Sequence, residues 1–179
     1  MLVLPFAVVF GLSLDVWSLA TIRSAASGAS RLVMARAALR LSLIVGAALG
    51  LGLGLGGLIR PLDHALSLMV ARGLLLVTGA GLLREGLDTG AANDLRRLPG
   101  SLTFWTRTAR GYGLPAFISG LSAALAGVGD PDLALAGLIA TFAAAFSGLI
   151  LGRPQDRWIE AAPLLIGGLV LMAVSLAPL

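Results

Sequence analysis

Met1-Leu-Val-Leu-Pro-Phe-Ala-Val-Val-Phe-Gly-Leu-Ser-Leu-Asp15 is an apolar run that ends on an acid. A run of this character belongs in lipid. A carboxylate at the centre of a lipid-embedded helix costs roughly 3 kcal/mol or more unless it is paired, protonated or metal-bound. The residue that compensates Asp15 therefore decides whether the protein carries ions or only sits in a membrane.

The rest of the chain agrees with lipid as its solvent. Hydrophobic residues make up 58% of the 179 residues and charged residues 12%, and the mean hydropathy is +0.96. A soluble domain of this size has no use for so much apolar surface. There is no cysteine, which excludes disulfides and thiolate metal sites, and one histidine, His64, which excludes a multi-histidine site. The net charge of +4 and pI of 11.3 come from arginines set between apolar runs. Nucleic-acid binding, which needs a basic face among polar residues, is not expected. No cationic segment precedes the first apolar run and Asp15 falls inside it, so that run is read as a spanning helix and not as a cleaved signal.

Apolar runs of about 18 to 22 residues recur along the chain, the length a bilayer requires. They predict an all-α integral membrane protein with six transmembrane helices, near residues 3–22, 41–59, 65–83, 111–128, 133–152 and 160–178. Eleven of the thirteen arginines fall between spans one and two, three and four, and five and six. Arg60 alone lies in the other connections, and Arg72 lies within span three. The positive-inside rule then gives a multi-pass protein of the cell inner membrane with both termini outside the cytoplasm. The turn Val128-Gly-Asp-Pro-Asp132 joins spans four and five as a helical hairpin.

The halves resemble one another. Gly11-Leu-Ser-Leu-Asp15-Val-Trp17 aligns with Gly111-Tyr-Gly-Leu-Pro115-Ala-Phe117, and Gly-Gly-Leu-Ile-Arg60 parallels Gly148-Leu-Ile-Leu-Gly-Arg153. Three spans per half is an odd number, so the second half enters the membrane upside down, as in many secondary transporters. The expected organisation is a first three-helix repeat over 1–85, a cytoplasmic loop over 86–110 and a second, inverted repeat over 111–179.

These segments resemble a known family. Phe10-Gly-Leu-Ser-Leu-Asp15 looks like the first-span signature of the manganese efflux pumps, six-span proteins of the lysine exporter superfamily. The resemblance continues through Leu43-Ile-Val-Gly-Ala47, Gly79-Ala-Gly-Leu-Leu-Arg-Glu-Gly86, Leu149-Ile-Leu-Gly-Arg153 and Gly167-Gly-Leu-Val-Leu171. It implies a secondary transporter that exports a divalent cation, with no cofactor and no enzymatic activity. It also implies acids in spans one, two and four. Asp15 holds the first position, but the others fall on Leu49 and Pro115. Mn²⁺ prefers carboxylate, carbonyl and water oxygens, so Asp15 is the metal ligand the resemblance leaves. The other reading is a non-transporting membrane subunit that keeps the fold and has lost the site.

Two compensations for Asp15 are open. It is a cation or proton site with Ser13 and Ser18 nearby, or it pairs with Arg72, which lies within span three. Arg107 and Arg110 lie three residues apart on one helical face. They either turn the pathway toward an anionic or zwitterionic solute or snorkel to the headgroups. Pro115 either starts span four or, if deeper, opens backbone carbonyls. Gly46, Gly50 and Gly54 form a ridge for helix packing in the bundle, or for a homodimer or larger membrane complex. Trp105 and Trp158 fall near the inner interface, and His64 is read as a surface residue. No nucleophile–base pair or carboxylate dyad is present, which argues against an enzyme.

Overall fold

The computed structural model describes residues 3–27, 31–59, 64–87, 109–128, 131–151 and 157–176. These form α1 (Val3–Ser27), α2 (Arg31–Ile59), α3 (His64–Leu87), a π-helical turn (Ala109–Gly113) running into α4 (Leu114–Leu125), α5 (Pro131–Leu151) and α6 (Arg157–Leu176). There is no strand among the described residues.

Each expected span falls on a helix, with shifted ends. α2 begins at Arg31, ten residues before the expected span. The added segment is rich in Ala, Leu and Arg, which favour helix, and hydropathy alone marks only the part suited to lipid. α4 is shorter than expected and stops at Leu125. Gly127 has φ 83°, and the Val128 N–H donates to Ala123 O while the Gly127 N–H donates to Ala124 O. This is a Schellman stop, which needs a residue tolerant of the left-handed region. α5 begins at Pro131.

α2 and α3 (from Ala65), and α5 from Asp132 to Leu151, are each long and apolar enough to cross a bilayer. Shorter apolar helices cover Pro5–Ser18, Gly111–Leu125 and Ala161–Leu176. The outer surface is apolar too: Phe6, Leu51, Leu58, Met69 and Leu176 are all exposed. Water would not tolerate so continuous a coat, whereas acyl chains match it.

α2 packs on α4 and α5, α1 on α5 and α6, and α3 on α6 and α4, with a smaller α1–α4 contact. Small residues set how closely the helices approach. At the α2–α4 crossing a Cβ on Gly52 would collide with the Phe117 carbonyl oxygen, and one on Gly120 with that of Leu49. At the α3–α6 crossing a Cβ on Gly79 would lie 2.8 Å from Gly168 O, and one on Gly168 2.7 Å from Gly79 O. Backbones in such contact gain dispersion and carbonyl interactions that lipid cannot supply.

The expected ridge glycines divide differently. Gly46 abuts Leu138 of α5, Gly50 reaches only Ala134 at 3.9 Å, and Gly54 has nothing within 4 Å. The closest seats on α2 are Gly52 and Gly56. Gly73 of α3 also faces open space. Gly73→Ala should therefore raise the stability of α3 by roughly 0.5–1 kcal/mol, from helix propensity alone. A melting curve in detergent should show a small upward shift, and a downward shift would mean that this face is covered.

Candidate functional site

Asp15 lies at the thirteenth position of the 25-residue α1, midway along it. It is 3% exposed, and its Oδ1 has no hydrogen-bond partner among the described residues. Ser18 and Thr21 are buried on the same helix, and Ser42 on α2. Thr21 and Ser42 donate to carbonyls of their own helices, at Ser18 O (2.7 Å) and Leu39 O (2.9 Å). Ser13 likewise donates to Val9 O at 2.7 Å. The protons of these three hydroxyls are thus spent locally, but each oxygen retains a lone pair. Thr141 of α5 and Ser119 of α4 are fully buried, and their hydroxyl oxygens have no hydrogen-bond partner among the described residues. Unpartnered polar atoms in a lipid-surrounded core are costly and point to a ligand or a pathway.

Helix registers place these groups. Gly148 of α5 lies against Trp17 and Ala20 of α1, and Ala144, one turn earlier, lines a groove with Ser13 and Leu14, an order that runs the two helices parallel. Thr141 then lies roughly one turn from Asp15, toward the end at which α5 begins. Gly11 of α1 crosses Gly167 of α6, and Gly79 of α3 crosses Gly168. Asp15 and Arg72 lie on opposite sides of that common level. At 1.5 Å per residue they are separated by roughly 16 Å along the bundle, farther than an arginine side chain reaches. The registers do not bring Arg72 to Asp15.

The positions where the resemblance calls for further acids lie together. Gly113, just before α4, packs on Ile44 and Ala48 of α2, which sets Pro115 beside the Leu49 turn. Leu49 is 0% exposed, and its side chain fills the space a Cβ on Gly137 would need, 2.6 Å away. Pro115 stands in the first turn of α4, where its missing N–H costs little. The π-helical turn immediately precedes it, as fits a residue that interrupts the hydrogen-bond ladder. Arg110 belongs to that turn. Arg107 and Trp105, and most of the expected loop, lie outside the described residues, as do the side chains of Arg110, His64 and Trp158.

A groove of about 460 Å³ opens between α1, α5 and α6, lined by Phe10, Ser13, Leu14, Trp17, Ala144, Ala162, Pro163 and Ile166. Asp15 is not among its lining residues. Pro163 is notable because it stands inside α6. It has no N–H, so the Ile159 carbonyl lacks its usual partner four residues on. No group of three or more acidic, histidine or cysteine side chains that could hold a metal is found among the described residues. A cation at Asp15 would therefore rely on hydroxyl and carbonyl oxygens and water as well.

Thr141 and Ser119 were not singled out by the sequence reading. Each is a hydroxyl in an otherwise apolar span, which is a weak signal, and only burial without a partner sets them apart from Ser13 or Ser42.

A helical bundle with an apolar coat and polar groups turned inward is a multi-pass membrane protein. The sequence profile of the family described as putative manganese efflux pump matches residues 32–179. The chain belongs to this family. The matched region runs from α2 to the end of the chain and does not include α1, which carries Asp15. No curated protein and no solved structure matches the chain.

Proposed function

We propose that this protein is a secondary transporter that exports a divalent cation, Mn²⁺ by family, through a path centred on Asp15. The observation that carries this reading is an enclosed carboxylate in mid-helix whose Oδ1 has no hydrogen bond among the described residues. Membership of an efflux family gives that acid a reason to persist. Its surroundings supply the hard oxygen donors that Mn²⁺ accepts: Ser18, Thr141 and the carbonyls of α1.

The two halves form an inverted repeat in this reading. The pattern of helix contacts supports it. Exchanging α1 with α4, α2 with α5 and α3 with α6 turns the α2–α4 contact into α5–α1 and the α1–α6 contact into α4–α3. The α2–α5, α3–α6 and α1–α4 contacts map onto themselves. Such a pseudo-two-fold places the site where the repeats meet. The arginine-rich end faces the cytoplasm and both termini lie outside, in the cell inner membrane.

A second reading has its own observation. Leu49 closes against Gly137 and Pro115 starts a helix, where the family resemblance calls for acids. On that reading the chain is a non-transporting subunit of a larger membrane complex or a homodimer. Reconstitution separates the two. In vesicles containing the purified full-length protein and a trapped Mn²⁺-quenched dye, the wild type should pass Mn²⁺ and Asp15→Asn should not. Flux absent from the wild type, or unchanged in Asp15→Asn, would end the Asp15-centred transporter reading and favour the subunit.

A further inference from the structure

Glu85 is the acid of the Gly79–Gly86 segment. It stands in the last turn of α3, exposed at the bundle surface. The α6 segment 162–166 joins its surroundings to those of Asp15. Ala162, Pro163 and Ile166 line one groove with Ser13, Leu14 and Trp17, the residues flanking Asp15. On another face of the same segment, Leu164 and Leu165 pack against Gly86, the neighbour of Glu85. The glycine crossings give the same placement. Asp15 lies four residues beyond Gly11 and Glu85 six beyond Gly79, both toward the arginine-rich end, from crossings at Gly167 and Gly168. The two acids therefore differ in height by roughly 3 Å at 1.5 Å per residue.

Two carboxylates at one level of a membrane bundle repel each other unless a cation lies between them or beside one of them. One is enclosed with an oxygen lacking a hydrogen bond, and the other is open at the surface. That pairing of an inner and an outer acid suits entry of an ion in two stages. α6 also carries the Ile159 carbonyl, which Pro163 leaves without its helical donor.

We infer that Glu85 is a second carboxylate of the cation path, holding a divalent ion at a lateral mouth of the bundle, level with Asp15, before the ion moves inward to that residue. This rests on the proposed function and adds a residue to it. An acid at the mouth raises the local cation concentration and offers a first oxygen ligand during dehydration.

Mn²⁺ alone is the probe. The paramagnetic resonance signal of free Mn²⁺ falls as the ion binds the full-length protein in lipid nanodiscs. Glu85→Gln should weaken binding about tenfold, Asp15→Asn should abolish it, and Glu85→Asp should stay close to the wild type. Asp132→Asn, the same charge change at an exposed site on the first turn of α5, should leave binding unaltered. Because Glu85 is exposed, its variants should melt with the wild type, so a loss of binding reports the site and not the fold. Wild-type binding by Glu85→Gln alongside its loss in Asp15→Asn would remove Glu85 from the path and leave the Asp15 reading standing. Equal weakening by Glu85→Gln and Asp132→Asn would reduce Glu85 to general surface charge and overturn the inference. Absence of Mn²⁺ binding by the wild type would overturn both.

Discussion

Alanine at Gly52 or Gly120 should prevent the bundle from assembling. Each glycine presses its Cα face onto a carbonyl of the opposite helix, at Phe117 and Leu49 respectively, and an added methyl would occupy the position of that oxygen. A clash with a side chain can be relieved by a rotamer change, but a clash with backbone moves a whole helix. Overpacking in ordinary cores costs about 1–3 kcal/mol. Here both faces of the seam are rigid, and ~4 kcal/mol or more is the expected scale. The loss would spread, because α2 also packs on α5. Size-exclusion profiles in detergent should show aggregated or absent protein for Gly52→Ala and Gly120→Ala. Gly54→Ala and Gly57→Ala, which meet nothing within 4 Å, should run as the wild type. A Gly52→Ala protein that elutes and melts normally would mean the α2–α4 seam is looser than described.

Asp15→Asn should make the metal-free protein more stable while removing its response to Mn²⁺. The carboxylate is enclosed and its Oδ1 has no hydrogen bond, and such a charge in a bilayer costs about 3 kcal/mol. Asparagine keeps the shape and discards the charge. In chelator the variant should melt several degrees above the wild type. Added Mn²⁺ should raise the wild type, since a ligand of the folded state stabilises it by mass action, and should leave the variant unmoved. The two melting curves should therefore converge or cross as Mn²⁺ is added. A variant that melts below the wild type in chelator, with neither responding to Mn²⁺, would identify Asp15 as a structural acid with a partner that stabilises it.

Much of the helix layout could be read from the sequence because lipid imposes a length on every apolar run. The break between α4 and α5 could be read as well, since Gly and Pro interrupt the helical run there. Asp15 stood out because a charge in such a run has no ordinary explanation. What escaped was relative height and face. Arg72 and Asp15 look like partners on paper, but their heights depend on where α1 and α3 each cross α6, and no single-helix pattern encodes that. Glu85 was visible within Gly79-Ala-Gly-Leu-Leu-Arg-Glu-Gly86, yet it lay beyond the apolar run of span three, at the very end of the first repeat, where an acid is unremarkable. The glycine ridge of α2 was legible as a ridge. Which of its faces meets α4 depends on packing, and the answer, Gly52 and Gly56, lies on a different side from Gly54. The first ten residues of α2 were missed because arginines signal an interface, although they are also good helix formers.

The two glycine crossings limit how this bundle can move. Helices whose peptide groups rest on one another resist sliding, because any axial slip drives a carbonyl into the opposing chain. α2 with α4 is one such couple, and α3 with α6 the other. Each couple joins an element of the first half to one of the second, so the halves are not free to rock as independent blocks. A change of access from one membrane face to the other would instead tilt the couples as rigid levers, with α1 and α5 as the fulcrum between them.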